Sequence, residues 1–213
     1  MSAPPRAVTS IEGYAFSGCT NLASVTIPNG VTRIESVTFG DCTSLISVTI
    51  PSGVTSIGLQ AFYNCTSLTS VTIPSGFTNL DYLAFNLCTN LKGVYFQGKA
   101  PSTDSHAFEG AAAATVYYLP ATTGWGPKLG GRPTALWTPL VQASDASFGV
   151  RTNQFGFNIS WASGRVVVVE ASTDLAQPIW SPVGTNTLTD GSSYFSDLQW
   201  TNYPARFYRL RSP

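Results

Sequence analysis

The chain has 213 residues, enough to bury a sizeable core and, by length alone, to form one domain or two. Eleven Lys and Arg balance eleven Asp and Glu, charged residues make up only 10%, and no run of one sign occurs, so neither a nucleic-acid backbone nor an anionic membrane surface is a matching partner. No apolar stretch is long enough to span a bilayer, and a single histidine excludes most imidazole-based catalytic triads and multi-His metal sites.

The opening MSAPPRAV lacks the apolar region of a signal peptide. Yet Pro5, Val8, Ile11, Ala15 and Phe16 already stand where Pro28, Val31, Ile34, Thr38 and Phe39 stand 23 residues later. The chain thus begins in mid-repeat, and it is expected to be a fragment of a longer protein whose export signal and earlier repeats come before it.

Residues 19–41, 42–64 and 65–87 are three copies of one unit, clearest as CTSLISVTIPSGVTSIGLQAFYN. A fourth, from Cys88, keeps the frame while Gln97, Ala100 and Thr103 replace Pro, Val and Ile, and a fifth, from Ala111, keeps only AAAATVYYLP. In the clearest copy Leu45, Val48 and Ile50 are spaced for a short strand, too β-branched for a helix. A turn with Pro51 at its second position and Gly53 closing it is expected next, then a second extended stretch from Val54 to Ile57, then an inward Phe62. One such unit cannot bury its apolar face alone, so the units are expected to stack into a solenoid with a parallel sheet.

The residues between the inward ones face solvent as two stripes: Ser24 and Thr26, Ser47 and Thr49, Ser70 and Thr72, then Gly93 and Tyr95, then Val116 and Tyr118. Ser and Thr are good exposed strand residues without any further role. As a binding face, the candidate residues are Thr26, Thr49, Thr72, Lys92, Tyr95 and Tyr118, with Tyr95 and Tyr118 flanked by Lys92 as the anchor end. A Thr ladder that orders water is a more distant reading. The cysteines at 19, 42, 65 and 88 fall at one position of successive coils and read as buried free thiols, with no metal site and no disulfide. His106 shares its repeat position with Tyr14, Val37, Gln60 and Leu83, a variety expected of a tolerant surface site. No catalytic residue, cofactor or metal is expected. Asp190 and Asp197 flank GSSYFS and read as turn-stabilising residues before they read as calcium ligands.

The segment ATTGWGPKLGGRPTALWTP breaks the period and is expected to cap the solenoid, laying Trp125 and Trp137 over its end. Residues 141–147, VQASDAS, read as a linker. From Phe148 onward, runs such as FGFNISW, RVVVVEAS and ARFYRLR between turns predict five to seven short strands of a small antiparallel β-sandwich. Its core is expected from Phe157, Val167, Val169, Trp180, Phe195, Phe207 and Leu210.

The repeat pattern C-x-x-L-x-x-V-x-I-P-x-x-V-x-x-I-x-x-x-A-F over residues 5–120 closely resembles the BspA-like leucine-rich repeat of bacterial surface proteins. The resemblance implies a leucine-rich-repeat solenoid used for adhesion or protein binding, without catalysis. The last segment, with VEASTDL, Trp180 and a final FYRL strand, looks like the immunoglobulin-like modules that end many secreted bacterial proteins. The expected molecule is therefore mainly β, with a solenoid and its cap in residues 1–140 and a sandwich in residues 141–213. It is expected to be a monomeric, secreted or cell-surface binding protein whose partner is a protein or a host or matrix surface ligand. The alternative is carbohydrate binding by the C-terminal sandwich, suggested by its Trp and Tyr content.

Overall fold

The structure, a computed structural model, describes residues 8–213; Pro5 and the other residues before Val8 lie outside that range. Contacts divide the chain into two compact units, Met1–Trp137 and Thr138–Pro213. Among the described residues the regular structure is all β apart from one 3-10 turn.

In the first unit each coil contributes a pair of strands. These are β1 (Ser24–Thr26) and β2 (Arg33–Ile34), β3 (Ser47–Thr49) and β4 (Ser56–Ile57), β5 (Ser70–Ile73) and β6 (Asn79–Leu80), β7 (Gly93–Phe96) and β8 (Ser102–Thr103), and then β9 (Thr115–Tyr118). The even-numbered strands form a continuous parallel sheet of four. The odd-numbered strands form the other side, β1 with β3 and β5 with β7 and β9. Val48, Val71 and Val94 point inward at equivalent places, as the period of two requires. Each coil turns after its proline with a hydrogen bond from the third residue on, Val54 N–H to the Pro51 carbonyl at 3.1 Å and Phe77 N–H to that of Pro74 at 3.2 Å. Proline is therefore the first residue of the turn and not the second, because its carbonyl is the acceptor. In the fourth coil Gln97, standing where the other copies have proline, donates its N–H to the Ile73 carbonyl at 3.0 Å and so keeps the coil in step.

The third side of each coil has no strand, yet its backbone is bonded to the next coil: Val37 N–H to Leu59 at 2.9 Å, Phe39 N–H to Ala61 at 2.8 Å and Asp41 N–H to Tyr63 at 2.8 Å. Residues at two places per coil hold a left-handed φ there. Tyr14, Val37, Gln60 and Leu83 lie between 52° and 63°, and Asp41, Asn64 and Leu87 between 55° and 59°. Four of the five residues at the varied position that sequence reads as tolerant thus hold a left-handed backbone, His106 being the exception. A β-branched residue is disfavoured in that region by about 1–2 kcal/mol. Val37→Asn, which accepts a left-handed φ without glycine's entropy loss, is expected to stabilise the repeat unit by about 1 kcal/mol in urea unfolding; a destabilised variant would mean that the Val37 side chain matters more than its backbone.

Inside the coils, phenylalanines stack one above another. Phe16, Phe39, Phe62, Phe85 and Phe108 have centroids 5.4, 5.2, 5.1 and 5.5 Å apart, with ring planes within 14° of parallel. Beside them runs the cysteine row, all free thiols. Cys42, Cys65 and Cys88 are buried and donate to the carbonyls of Phe16, Phe39 and Phe62 at 3.1, 3.2 and 3.1 Å. Burial, then the neighbouring Cys65 thiol, pushes Cys42 up to about 11, while the hydrogen bond with Cys88 and then burial push Cys65 higher still. Cys19 departs from the expected burial and is exposed.

The segment after Pro120 does more than cover an end. Here β10 (Lys128–Leu129) and β11 (Arg132–Leu136) form a short hairpin in which β11 pairs parallel with β9, adding one more rung before β10 closes the edge antiparallel. Trp125 packs against Phe96 and Tyr118, whereas Trp137 lies beside Tyr95.

The second unit has seven strands: β12 (Leu140–Gln142), β13 (Gly149–Arg151), β14 (Gln154–Ser160), β15 (Val166–Ser172), β16 (Ser181–Thr187), β17 (Ser192–Asp197) and β18 (Phe207–Arg211). One antiparallel sheet holds β12, β13, β14 and β17, and the other holds β16, β15 and β18 in that order. Val141 and Gln142, read as linker from sequence, pair with Ile159 and Asn158 as a strand. Two tight turns use pairs of left-handed residues, the backbone of a type I′ turn: Thr152 with Asn153 in the hairpin of β13 and β14, and Asp190 with Gly191 inside the Thr189–Ser192 bridge. Within the first sheet Phe157 packs on its cross-strand partner Phe195 at 5.2 Å, and across to the second sheet Tyr208 from β18 stacks on Phe155 at 5.1 Å. Phe157, Val167, Val169 and Phe195 are buried as their alternation requires. Trp180, Phe207 and Leu210 are only half-buried; Trp180 instead carries the Arg209 guanidinium 4.6 Å above its ring.

Arg209 and Arg211 both bond Glu170, at 2.7 and 3.0 Å. These hydrogen bonds hold the Glu170 carboxyl below its ordinary range. A group depressed in the folded state adds stability above its unfolded pKa of about 4.3 and loses it as pH falls through the folded value. Acidification below about pH 4 is therefore expected to loosen the β15 and β18 pairing, and Glu170→Gln should flatten that dependence in amide exchange.

Candidate functional site

The open face of the odd-numbered strands is where residues free of packing duty gather. Cα register places Ser24 beside Ser47 and Thr26 beside Thr49, then Ser70 beside Gly93 and Thr72 beside Tyr95. Thr26, Thr49 and Thr72 are all exposed, as is Lys92 at the start of β7. The stripes are not continuous, because β3 and β5 form no ladder. A cleft of about 340 Å³ opens there, lined by Ser47, Thr49, Ser70, Thr72 and Gln97 among others. An interrupted row of this kind does not give the regular lattice that ordering of water would need.

At the far end the register corrects the sequence reading. Val94 pairs with Val116, Tyr95 with Tyr117 and Phe96 with Tyr118. The spacing from β7 to β9 is thus 22 residues, one fewer than the repeat period. Val116 is consequently core, fully buried, and not part of the outer stripe. Tyr118 leaves the stripe as well: it stands level with the buried Phe96 and stacks on Trp125 at 4.9 Å. The outward pair is Thr115 and Tyr117.

Three aromatic rings therefore meet on the open face. Tyr95 and Tyr117 stack at 5.0 Å, 12° from parallel, and Trp137 packs on Tyr95 at 4.9 Å. Gly93 makes this possible, since a Cβ there would stand 2.6–2.7 Å from the Tyr95 ring and hydroxyl. All three rings are half-buried, so part of each is presented to solvent. Burial, with Tyr117 second, raises the Tyr95 pKa, which keeps its phenol neutral and able both to donate and to accept. Sequence reasoning named Tyr95 and Lys92 here and missed Tyr117 and Trp137. The matching strings GVYF and TVYY were the available signal.

His106 does not assemble a catalytic site. Its Nδ1 lies 2.7 Å from Asp104 Oδ1 and 3.1 Å from Ser105 Oγ, so both partners crowd one nitrogen, whereas a triad needs them on opposite nitrogens. All three residues are exposed. The His106 backbone N–H, then its ring, hold the Asp104 carboxyl below its ordinary range, as in a turn. Among the described residues no three His, Cys, Asp or Glu converge on a point that could hold a metal ion.

The family model for the BspA type leucine rich repeat region matches residues 4–123 in six copies. Solved structures similar to this chain include a leucine-rich repeat protein from Bacteroides ovatus ATCC 8483, at 24% identity and TM-score 0.42 over 53% of this chain and 37% of that one. A T. pallidum leucine-rich repeat protein is similar at 21% identity and TM-score 0.41, over 51% of this chain and 66% of that one. The chain thus spans little more than a third of the first protein's length. No curated protein matches it in sequence.

Proposed function

The chain belongs to the BspA-type leucine-rich repeat family, and from that premise we propose that it is a non-enzymatic, secreted or cell-surface binding protein of bacterial type that engages a partner protein through the open face of its repeat sheet. Repeat proteins of this kind mediate protein–protein interaction, which stacked coils suit because they present a long, rigid face that needs no ordering on binding. The single observation that supports this face is the cluster of Tyr95, Tyr117 and Trp137. Tyr and Trp supply most of the energy of interface anchors, and here they are held rigid by mutual packing, with Thr72 beside Tyr95 in the register and the exposed Lys92 preceding β7 in sequence. No helix among the described residues is long and apolar enough to cross a membrane.

The test is binding of the intact chain to immobilised extracellular-matrix proteins, followed by surface plasmon resonance. Tyr95→Ser and Tyr117→Ser are each expected to weaken binding by roughly 10–30-fold while the unfolding temperature holds. Binding that ignores both tyrosines would remove this face from consideration.

A further inference from the structure

Among the described residues the two most exposed large aliphatic side chains belong to the second unit, Ile179 at 82% and Leu198 at 69%. Leu175, at 55%, shares the loop of Ile179. The loops concerned are 173–180, between β15 and β16, and 198–206, between β17 and β18. Register brings both to one end of the unit. Ser172, the last residue of β15, pairs with Phe207, the first of β18, and Ser181, the first of β16, pairs with Ala171. Asp197, the last residue of β17, accepts the Tyr208 hydroxyl at 2.9 Å, which ties the end of the other sheet to the same level. The two tips are neighbours, because Val183, Gln199 and Arg206 line both the hollow that Ile179 borders and the hollow that Leu198 borders.

Behind each aliphatic tip stands an aromatic ring, and behind each ring a guanidinium. Trp180, half-buried and one residue nearer β16 than Ile179, carries the Arg209 guanidinium 4.6 Å from its ring centre. On the other loop exposure falls from Leu198 to Tyr203, at 38%, and then to Arg206, whose guanidinium lies 4.1 Å from the Tyr203 ring centre and whose side chain is only 9% exposed. Both cations are balanced, Arg209 by Glu170 at 2.7 Å and Arg206 by Asp197 at 2.6 Å. Asp174 is the one exposed charge in the two loops, and its carboxylate turns back to the Ala176 N–H at 2.7 Å. A protein interface is ordered the other way, with aromatic and Arg anchors central and a polar rim around them. A lipid surface sorts groups by depth: aliphatic carbon reaches the acyl boundary, Trp and Tyr stay at headgroup level, and guanidinium groups remain furthest out. We propose that this end of the C-terminal unit docks on a zwitterionic lipid surface, setting Ile179, Leu198 and Leu175 at the acyl boundary without crossing the bilayer. The surface is zwitterionic because Glu170 and Asp197 leave no surplus cation on this end to gather anionic headgroups. The site is independent of the repeat-sheet face.

Flotation of the intact chain with phosphatidylcholine vesicles tests this. The chain is expected to float with the vesicles, and a tenfold rise in sodium chloride should leave the bound fraction unchanged, since apolar contact and not net charge holds it. Lipid brominated on its acyl chains should quench tryptophan emission, and Trp180→Phe should remove most of that quenching. Ile179→Ser/Leu198→Ser changes only exposed side chains, so the unfolding temperature should hold while partitioning weakens at least tenfold. Tyr95→Ser/Tyr117→Ser should leave flotation as it was, so that failure of the sheet face and failure of this site are told apart. The proposal is overturned by absence of flotation with phosphatidylcholine, by flotation only when phosphatidylserine is present, or by flotation that Ile179→Ser/Leu198→Ser retains. A dimer in sedimentation velocity that the same variant abolishes would make a second copy the occupant and overturn it as well.

Discussion

Replacing Phe62 with alanine is expected to lower the stability of the repeat unit by about 4 kcal/mol, the upper part of the range for a large ring removed from a closed core. Phe62 is fully buried and stacked on both sides, with Phe39 at 5.2 Å and Phe85 at 5.1 Å. Its loss therefore removes the transfer energy of the ring and two stacking contacts, each worth about 0.5–1.5 kcal/mol beyond area. The surrounding coil cannot collapse into the gap, because the flanking backbone is pinned to the next coil by the Phe62 N–H bond to Ala84 at 2.8 Å. Phe16→Ala is the informative comparison. That ring is half-buried and has one stacking neighbour among the described residues, Phe39 at 5.4 Å, so about half the loss is expected. Urea unfolding followed by far-ultraviolet circular dichroism reads both. Equal losses at the two positions would show that the ladder is not the column on which the coils are stacked.

The stacked architecture was legible because three copies in register repeat every apolar position, and a periodic pattern of that kind has no other way to bury its faces. The same regularity concealed the place where the chain departs from it. Reading β9 on the 23-residue period put Val116 and Tyr118 outside, whereas Val116 has the more apolar, β-branched side chain and takes the buried place opposite Val94. Burial of one valine moves every neighbour to the other face, which is how Tyr117 comes to lie on Tyr95. Trp137 was out of reach for a different reason: it belongs to a segment without period, and only the parallel pairing of β11 with β9 brings it to the same face. Left-handed φ angles at Val37 and Leu83 were equally hidden, because neither residue type signals that conformation and the need for it comes from hydrogen bonds to the next coil. In the C-terminal unit alternation revealed the inward Phe157 and Val167, but nothing local in YPARF distinguishes an arginine whose side chain is covered from a solvated one.

Asp197→Ala is expected to cost the second unit about 3 kcal/mol, a large part of the roughly 4–10 kcal/mol that a unit of this size has in all. The substitution leaves the Arg206 guanidinium nine-tenths buried without its counter-charge and takes the acceptor from the Tyr208 hydroxyl. It also frees the Gln199 N–H that fixes the chain entering the 3-10 turn Trp200–Asn202. Each loss points the same way, since a buried donor without an acceptor keeps its full desolvation cost. The effect should appear as faster amide exchange along β17 and β18, the strands that Asp197 and Tyr208 tie together. Tyr208 reports on the same contact independently: burial first and the Asp197 hydrogen bond second raise its pKa, so removal of Asp197 should bring its ionisation down part of the way. The decisive comparison is Asp197→Ala/Arg206→Met, in which neither charge is left alone. Recovery of half or more of the loss identifies the unpaired guanidinium as its source. A double variant as unstable as Asp197→Ala would place the cost instead in the Tyr208 and Gln199 hydrogen bonds, making Arg206 a passenger in the fold.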